Sequence, residues 1–223
     1  MTAAPATGAL PAEPSHDCPI CPRLVAFRQE WRAKEPDWHN APVPTLLPPE
    51  GHGAVRLLIA GLAPGVRGAN RTGRPFTGDY AGDLLYATLS RYGFANDRFE
   101  ARIDDGLELI GTAIVNAVRC VPPQNKPVGA EINACRQFLG GRIDSFPNLA
   151  AIVTLGRIAH ESTVRALGAR PSAAPFGHNA HHMVGGIAVF SSYHCSRYNT
   201  NTGRLTEAMF RDVFENAAGY LKT

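Results

Sequence analysis

Apolar runs alternate with amphipathic segments along this chain. Four short apolar runs predict buried β-strands at residues 54–62, 111–123, 149–156 and 185–194. The helical spacing of apolar residues predicts helices at about residues 21–36, 85–93, 129–146, 157–167 and 206–221. Strands that alternate with helices are typical of an α/β fold. We therefore expect a three-layer sandwich, with a central, mainly parallel four-stranded sheet flanked by helices.

The composition limits the size and class of the protein. The chain has 223 residues, of which 44% are hydrophobic and 18% charged, and this suits one packed globular core. We expect a disordered, Ala/Pro-rich arm at residues 1–16 and a single domain at residues 17–223. The sequence contains neither an apolar run of roughly 20 residues nor the basic and apolar regions of a signal peptide, so we expect a cytoplasmic protein without a membrane partner. The net charge of +3 permits a polyanionic partner without requiring one.

Glycines and charged residues collect after the predicted strands, at the sheet edge where ligands of α/β proteins bind. The longest such segment, residues 61–79, is rich in glycine and contains Arg67, Arg71 and Arg74. Glycine N–H groups and guanidinium groups can hold phosphates, but the P-loop pattern is absent and a solvated basic loop explains the segment as well. Asp79 and Asp83 flank the start of a predicted helix, where capping explains either carboxylate.

Other candidate residues are expected at the same edge. Phe76 lies in the polar loop, either as a core anchor or as a ring that stacks on a base. Asn116 interrupts an apolar strand, so its amide needs hydrogen-bond partners or presents its donor and acceptor to a ligand. His194 ends the last predicted strand, and Arg197 and Asn199 follow it. Their convergence favours a functional site.

The five cysteines divide into four and one. Cys18 and Cys21 form a C-x2-C pair, and Cys120 and Cys135 are separated by 14 residues, one at a strand end and one within a helix. Four thiolates in a cytosolic chain suit either zinc or an iron–sulfur cluster. The alternative is that Cys120 and Cys135 are small buried hydrophobic residues. Cys195 stands apart and is not expected to be a ligand.

Three ordered segments together resemble one protein family. "GLAPGVRGANRTGRPFTGDYAGDLL", "NAVRCVPP" and "HCSRYNTNTGRLT" resemble the family 5 (type B) uracil-DNA glycosylases, which are iron–sulfur members of the uracil-DNA glycosylase superfamily. The resemblance covers about residues 16–221. It implies a monofunctional DNA-repair glycosylase that hydrolyses the N-glycosidic bond of uracil, and of other deaminated or damaged bases, in double-stranded DNA. We accordingly expect a cytoplasmic, nucleoid-associated monomer.

The resemblance also assigns a cofactor and residue roles. It implies a 4Fe–4S cluster held by Cys18, Cys21, Cys120 and Cys135. Asp79 corresponds to the catalytic carboxylate that stabilises an oxocarbenium-like transition state, and His194 to a histidine near the scissile bond. Phe76 matches the aromatic residue that stacks on the extruded base. The other expected base contacts are Gly61, Ala63, Gly65, Asn116 and Asn199, and the expected phosphate contacts are Arg67, Arg71, Arg74 and Arg197.

Two local features modify this expectation. Ala63-Pro64-Gly65 occupies a position where other members of the superfamily carry a polar catalytic residue, which is compatible with a permissive base pocket. His194-Cys195-Ser196 replaces the family's usual His-Pro-Ser, and loss of the proline is expected to loosen the loop that follows the strand.

Two other functions fit the same residues. A DNA-binding module stabilised by zinc or a cluster would use Asp79 only as a helix cap. A phosphate-handling hydrolase would bind a divalent metal at Asp79 and Asp83. An assay in excess chelator separates that hydrolase from a glycosylase, because base excision needs no divalent metal.

Overall fold

The computed structural model describes residues 10–222, and within them five strands form one sheet in the order β2-β1-β3-β5-β4. Four of the strands are parallel, and β4 runs antiparallel to β5. The predicted α/β fold is confirmed, with one strand more than the four expected. The strands are β1 (Leu57–Gly61), β2 (Thr112–Asn116), β3 (Ala151–Leu155), β4 (His181–Val184) and β5 (Ile187–Ser192).

The additional strand is an edge strand. Positions 181–183 of β4 are exposed or half-buried, whereas every residue of β1, β2 and β3 is buried. A strand with one neighbour needs no continuous apolar run, so β4 has none. Gly185 and Gly186, with φ of 58° and 82°, form the tight turn between β4 and β5.

Helices cover both faces of the sheet because successive strand residues point to opposite sides. Leu57 and Ile59 face a core shared with α3 and α7, while Leu58 and Ala60 face a core shared with α4. The helices are α1 (Pro22–Lys34), α2 (Ala69–Thr72), α3 (Tyr80–Arg91), α4 (Gly129–Asp144), α5 (Arg157–Ala166), α6 (Arg197–Asn201) and α7 (Glu207–Lys222), with short 3-10 turns at His52–Ala54, Pro123–Asn125 and Pro171–Ala173. No helix in the described part of the chain has the length and apolar content needed to cross a membrane.

The expected N-terminal arm is described only from residue 10 onward. The Glu13 carboxylate accepts hydrogen bonds from the Arg119 and Arg142 guanidinium groups and from Thr45. The Leu10 and Pro11 carbonyl oxygens pass so close to Gly141 of α4 that a Cβ there would lie 2.5 Å from each. Residues 10–16 therefore contact the domain instead of standing clear of it.

Candidate active site

A cavity of about 370 Å³ opens at the carboxyl ends of β1, β2 and β5. The loop after β1 forms one side, the ends of β2 and β5 form the floor, and the segment before α3 forms the opposite side. The fold thus brings together most of the residues predicted from the strand ends, namely Ala63, Gly65, Phe76, Asp79, Asn116 and His194.

Asp79 stands at the N-cap position of α3, but its side chain makes no capping hydrogen bond. Its Oδ1 atom is buried and has no hydrogen-bond partner among the described residues. Burial raises the pKa of this carboxyl, although the nearby amides of Ala81 and Gly82 favour the charged form. A buried carboxylate oxygen without a partner is rare in folded proteins, so the interaction with these two amides does not account for Oδ1, which is left available to a ligand.

Two glycines make room for the Asp79 carboxylate. A Cβ on Gly68 would lie 2.4 Å from Asp79 Oδ2, and one on Gly65 would lie 3.1 Å from the same atom. Real Cβ atoms essentially never make a contact as short as 2.4 Å, and they seldom make one of 3.1 Å. The glycine-rich loop therefore closes tightly around the carboxylate.

Asn116 presents a second unpaired polar group to the cavity. The residue is only 3% exposed, and its Oδ1 atom has no hydrogen-bond partner among the described residues. Gly61, at the end of β1, allows its approach, because a Cβ there would lie 2.4 Å from Asn116 Oδ1 and 2.7 Å from Phe76 Cζ. Leaving a buried amide oxygen unpaired costs about 1–3 kcal/mol, so the position is suited to an external donor.

His194 lies beside the Phe76 ring. The two rings are stacked, with centroids 6.0 Å apart and an angle of 28° between their planes. Burial lowers the pKa of His194 to about 4, because the protein desolvates the imidazolium. The imidazole is therefore neutral at neutral pH, with one N–H available as a donor.

Asn199, expected as a base contact, does not line the cavity. Its Nδ2 atom donates to the His194 carbonyl oxygen at 2.8 Å, and its backbone N–H donates to Ser196 Oγ at the start of α6. The side-chain Nδ2 and the backbone N–H of Asn199 thus both hold the loop after β5, which carries His194.

Cys195 ties the same loop to α3. The side chain is fully buried, and its Sγ atom donates to the Ala81 carbonyl oxygen at 3.5 Å. Loss of the family's proline was expected to loosen this loop. In its place the Cys195 thiol makes a hydrogen bond to α3 that a proline side chain cannot make.

Three cavity residues with polar side chains were missed by the sequence analysis. Tyr80 and Ser196 border the opening, and Asn125 reaches it from the loop after β2. Asn125 has φ of 56°, a left-handed conformation that Asn tolerates better than most residues. The Pro-Pro-Gln-Asn turn at the end of a predicted strand was the available signal for this residue.

The four predicted DNA-contacting arginines have different surroundings. Arg67 and Arg71 are exposed, and Arg197 is exposed with its guanidinium 5.2 Å from the Tyr80 ring centre at the cavity mouth. Arg74 is 6% exposed and forms a two-pronged ion pair with Asp105, with nitrogen–oxygen distances of 2.8 and 2.6 Å. Arg74, expected as a phosphate contact, therefore has its guanidinium engaged by Asp105 and anchors the loop that precedes Phe76.

The four cysteines outside the active site border one small apolar cavity between α1 and α4. No group of three or more His, Cys, Asp or Glu side chains within residues 10–222 forms a ready-made site for a metal ion. Burial raises the pKa of Cys120 to about 11 and that of Cys135 to about 12, which disfavours free thiolates.

The surroundings of these thiols suit negatively charged sulfur. An Arg28 guanidinium N–H lies 3.6 Å from Cys120 Sγ, and the Arg119 backbone N–H donates to Cys135 Sγ at 3.3 Å. Such donors accompany the thiolates that hold iron–sulfur clusters. The donor set and its neighbours therefore fit a cluster held by four thiolates.

The fold and the cavity define an α/β domain that can receive a flat, hydrogen-bonding ring beside a carboxylate. A family model described as the uracil DNA glycosylase superfamily matches residues 48–218. The type-5 uracil-DNA glycosylase of Thermus thermophilus is 44% identical over 207 residues, covering 90% of this chain and 92% of that protein. Proteins of the same name from Mycobacterium bovis and Pyrobaculum aerophilum are 42% and 36% identical, covering 90% and 91% of this chain and 76% and 88% of their own lengths. The chain belongs to the uracil-DNA glycosylase superfamily and, within it, to the type-5 family.

Proposed function

We propose that this protein hydrolyses the N-glycosidic bond of uracil in double-stranded DNA and leaves an abasic site. Membership of a family whose relatives are named uracil-DNA glycosylases supports the reaction. The observation that carries the proposal is the convergence of two unpaired polar groups, Asp79 Oδ1 and Asn116 Oδ1, in one cavity beside the Phe76 ring. A sugar and a base edge are the two ligands that this pair would meet.

Base recognition follows from the cavity walls. A base inside a duplex cannot reach a buried carboxylate, so the nucleotide is extruded from the stack. The flat uracil ring stacks on Phe76, and Asn116 hydrogen-bonds to its polar edge. Ala63, Pro64 and Gly65 border the cavity without a polar side chain, which supports acceptance of other deaminated bases.

Bond cleavage uses the charge of Asp79. As the glycosidic bond breaks, positive charge builds on the deoxyribose, and the buried carboxylate stabilises it and orients the attacking water. The bonding electron pair leaves with the base, and the neutral His194 donates a hydrogen bond to the negative charge that develops on the uracil oxygen. Water adds its hydroxyl to C1′ of the sugar, and its proton leaves with the base.

The DNA backbone lies over the mouth of the cavity in this proposal. Arg197 borders the mouth, and Arg67 and Arg71 lie exposed on the neighbouring loop. Contacts of these arginines with phosphates would position the duplex without reading its sequence. Affinity should then fall as the salt concentration rises.

The four thiols of Cys18, Cys21, Cys120 and Cys135 would hold a 4Fe–4S cluster. Base hydrolysis requires no electron transfer, so the cluster would supply a covalent tie between the N-terminal segment and the core. Arg28 and the Arg119 N–H would stabilise the charge on the sulfur atoms.

The direct test is incubation with a uracil-containing duplex in excess chelator, followed by alkali to cleave abasic sites. We expect strand cleavage with the wild type and a strong loss with Asp79→Asn. Asp83→Asn is the matched control, because Asp83 lies in the first turn of the same helix but is exposed and outside the cavity. Absence of abasic sites with the wild type would favour a DNA-binding module, and activity only with divalent metal would favour a phosphate-handling hydrolase.

A further inference from the structure

A second cavity, of about 540 Å³, borders the loop that holds Asp79. We call it the tryptophan groove, and its lining is Trp31, Glu35, Trp38, Arg67, Arg71 and Gly78. The groove adjoins the candidate active site through two pairs of neighbouring residues. Gly78 directly precedes Asp79 in the chain, and Arg67 directly precedes Gly68, which packs on the Asp79 carboxylate. A ligand in the groove would therefore lie next to the nucleotide in the active site.

The aromatic wall of the groove consists of two stacked indoles. The ring centres of Trp31 and Trp38 are 5.4 Å apart, and their planes differ by 5°. Both residues line the cavity and neither is fully buried. Trp31 stacks on Trp38 and has the Lys34 ammonium 5.5 Å from its ring centre, so the outer face of Trp38 is the stacking surface of the groove. Aromatic surfaces of this kind bind unpaired bases by stacking, whatever the base, because every base has a π-face.

The charged part of the groove is formed by two arginines. Arg67 and Arg71 are exposed, and neither forms an ion pair with a carboxylate in the described part of the chain. Arg71 Nε donates to the Arg67 carbonyl oxygen at 3.0 Å, and this bond fixes the Arg71 guanidinium relative to the Arg67 backbone. The two arginines outnumber the one acid, Glu35, so the groove favours an anion.

Helix α1 links this groove to the cysteine cavity. Leu24 and Arg28 face the cysteines, and Trp31 follows on the same side of the helix at the next turn. The backbone N–H of His39, directly after Trp38, donates to the Arg71 carbonyl oxygen and joins the aromatic wall to the charged wall. The same helix thus contacts the cysteine cavity and the groove.

We propose that the tryptophan groove binds a single-stranded segment of the DNA next to the target nucleotide, with a base stacked on the Trp38 indole and phosphates on Arg67 and Arg71. The proposal rests on the proposed function and extends it to a substrate class, uracil close to unpaired DNA. Aromatic residues together with a basic groove are the combination by which proteins bind single strands without sequence preference.

The test uses the two tryptophans as reporters. The chain has only these two tryptophans, so its indole fluorescence comes from the groove. We titrate the purified holoprotein with a uracil-free oligothymidylate while measuring tryptophan fluorescence and, with a labelled oligonucleotide, anisotropy. We expect binding in both measurements, with quenching of the fluorescence, and a loss of affinity of roughly fivefold or more in Trp38→Leu.

The paired variant Arg67→Ala/Arg71→Ala provides a test that does not depend on the folding of a tryptophan variant, because both side chains are exposed. We expect it to reduce the slope of log affinity against log salt by about 1.4, because each phosphate that an arginine neutralises on a single strand adds roughly 0.7 to that slope. Arg170→Ala is the matched control, an exposed arginine outside the groove that should leave the slope unchanged.

If anisotropy reports binding but the tryptophan fluorescence is not quenched, the single strand binds elsewhere and the proposal is wrong. An absence of binding, or an unchanged salt slope in the paired variant, would overturn it as well. Failure of the proposed function is a separate result. It would appear as wild-type protein that leaves a uracil-containing blunt duplex intact, whatever the oligothymidylate does.

Discussion

Replacing Gly68 by alanine should displace the Asp79 carboxylate. Gly68 has φ of −89° and ψ of −116°, a combination outside the α and β regions that L-residues favour, so alanine also adds some backbone strain. The new Cβ would lie 2.4 Å from Asp79 Oδ2 and 3.1 Å from its Cγ, whereas ordinary contacts begin at 3.4 Å. The carboxylate must therefore move by about 1 Å, and a misplacement of that size costs roughly 10²-fold in rate.

The assay is single-turnover excision from a duplex with one uracil, at saturating enzyme. Gly53→Ala is the control, because Gly53 has no heavy atom within 4 Å of the position of a new Cβ and should behave as the wild type. Thermal unfolding of both variants checks that the fold is kept. Excision by Gly68→Ala at the wild-type rate, with an intact fold, would refute the role given to the position of Asp79.

Three further predictions concern charge, stability and the cluster. Asp79→Asn should slow single-turnover excision by about 10²-fold while DNA binding changes far less, and the wild-type rate should fall on acidification at a higher pH than an ordinary carboxyl would give, because burial raises the pKa of Asp79. Asp105→Asn should cost about 3–5 kcal/mol in denaturant unfolding, because it leaves Arg74 buried without its ion pair. Since the Arg74 contact holds the pKa of Asp105 below its usual value, the wild type should keep this stabilisation above about pH 4 and lose it only at lower pH. Cys135→Ser should abolish iron binding in metal analysis of anaerobically purified protein, whereas Cys195→Ser should retain it.

The parts of the fold that could be predicted are those with a local signal. The parallel strands are buried on both faces, so each appears in the sequence as a continuous apolar run. Strand β4 contains His181 and His182 and has no such run, and only the Gly185-Gly186 pair indicated a hairpin there. Helices α2 and α6, with four and five residues, are too short for a helical period to show.

The site could be predicted where topology alone determines proximity. Asp79, Asn116 and His194 follow or end strands of one sheet, so a parallel arrangement brings them to one edge. The surroundings of Arg74 could not be predicted, because its partner Asp105 lies 31 positions away on a loop without a periodic pattern. A run of three arginines in the sequence does not show which of them an acid will neutralise.

The Glu13 contacts bear on where the smallest independently folding unit of this chain begins. The family model starts at residue 48, and a chain trimmed to that span would lack Glu13, helix α1 and two of the four clustered cysteines. Arg119 and Arg142, almost fully buried, would keep their charges without the carboxylate that both of them contact. Uncompensated buried charges of this kind are strongly destabilising. The span that identifies the family is therefore shorter than the span that should be expressed, which has to include the residues from Leu10 onward.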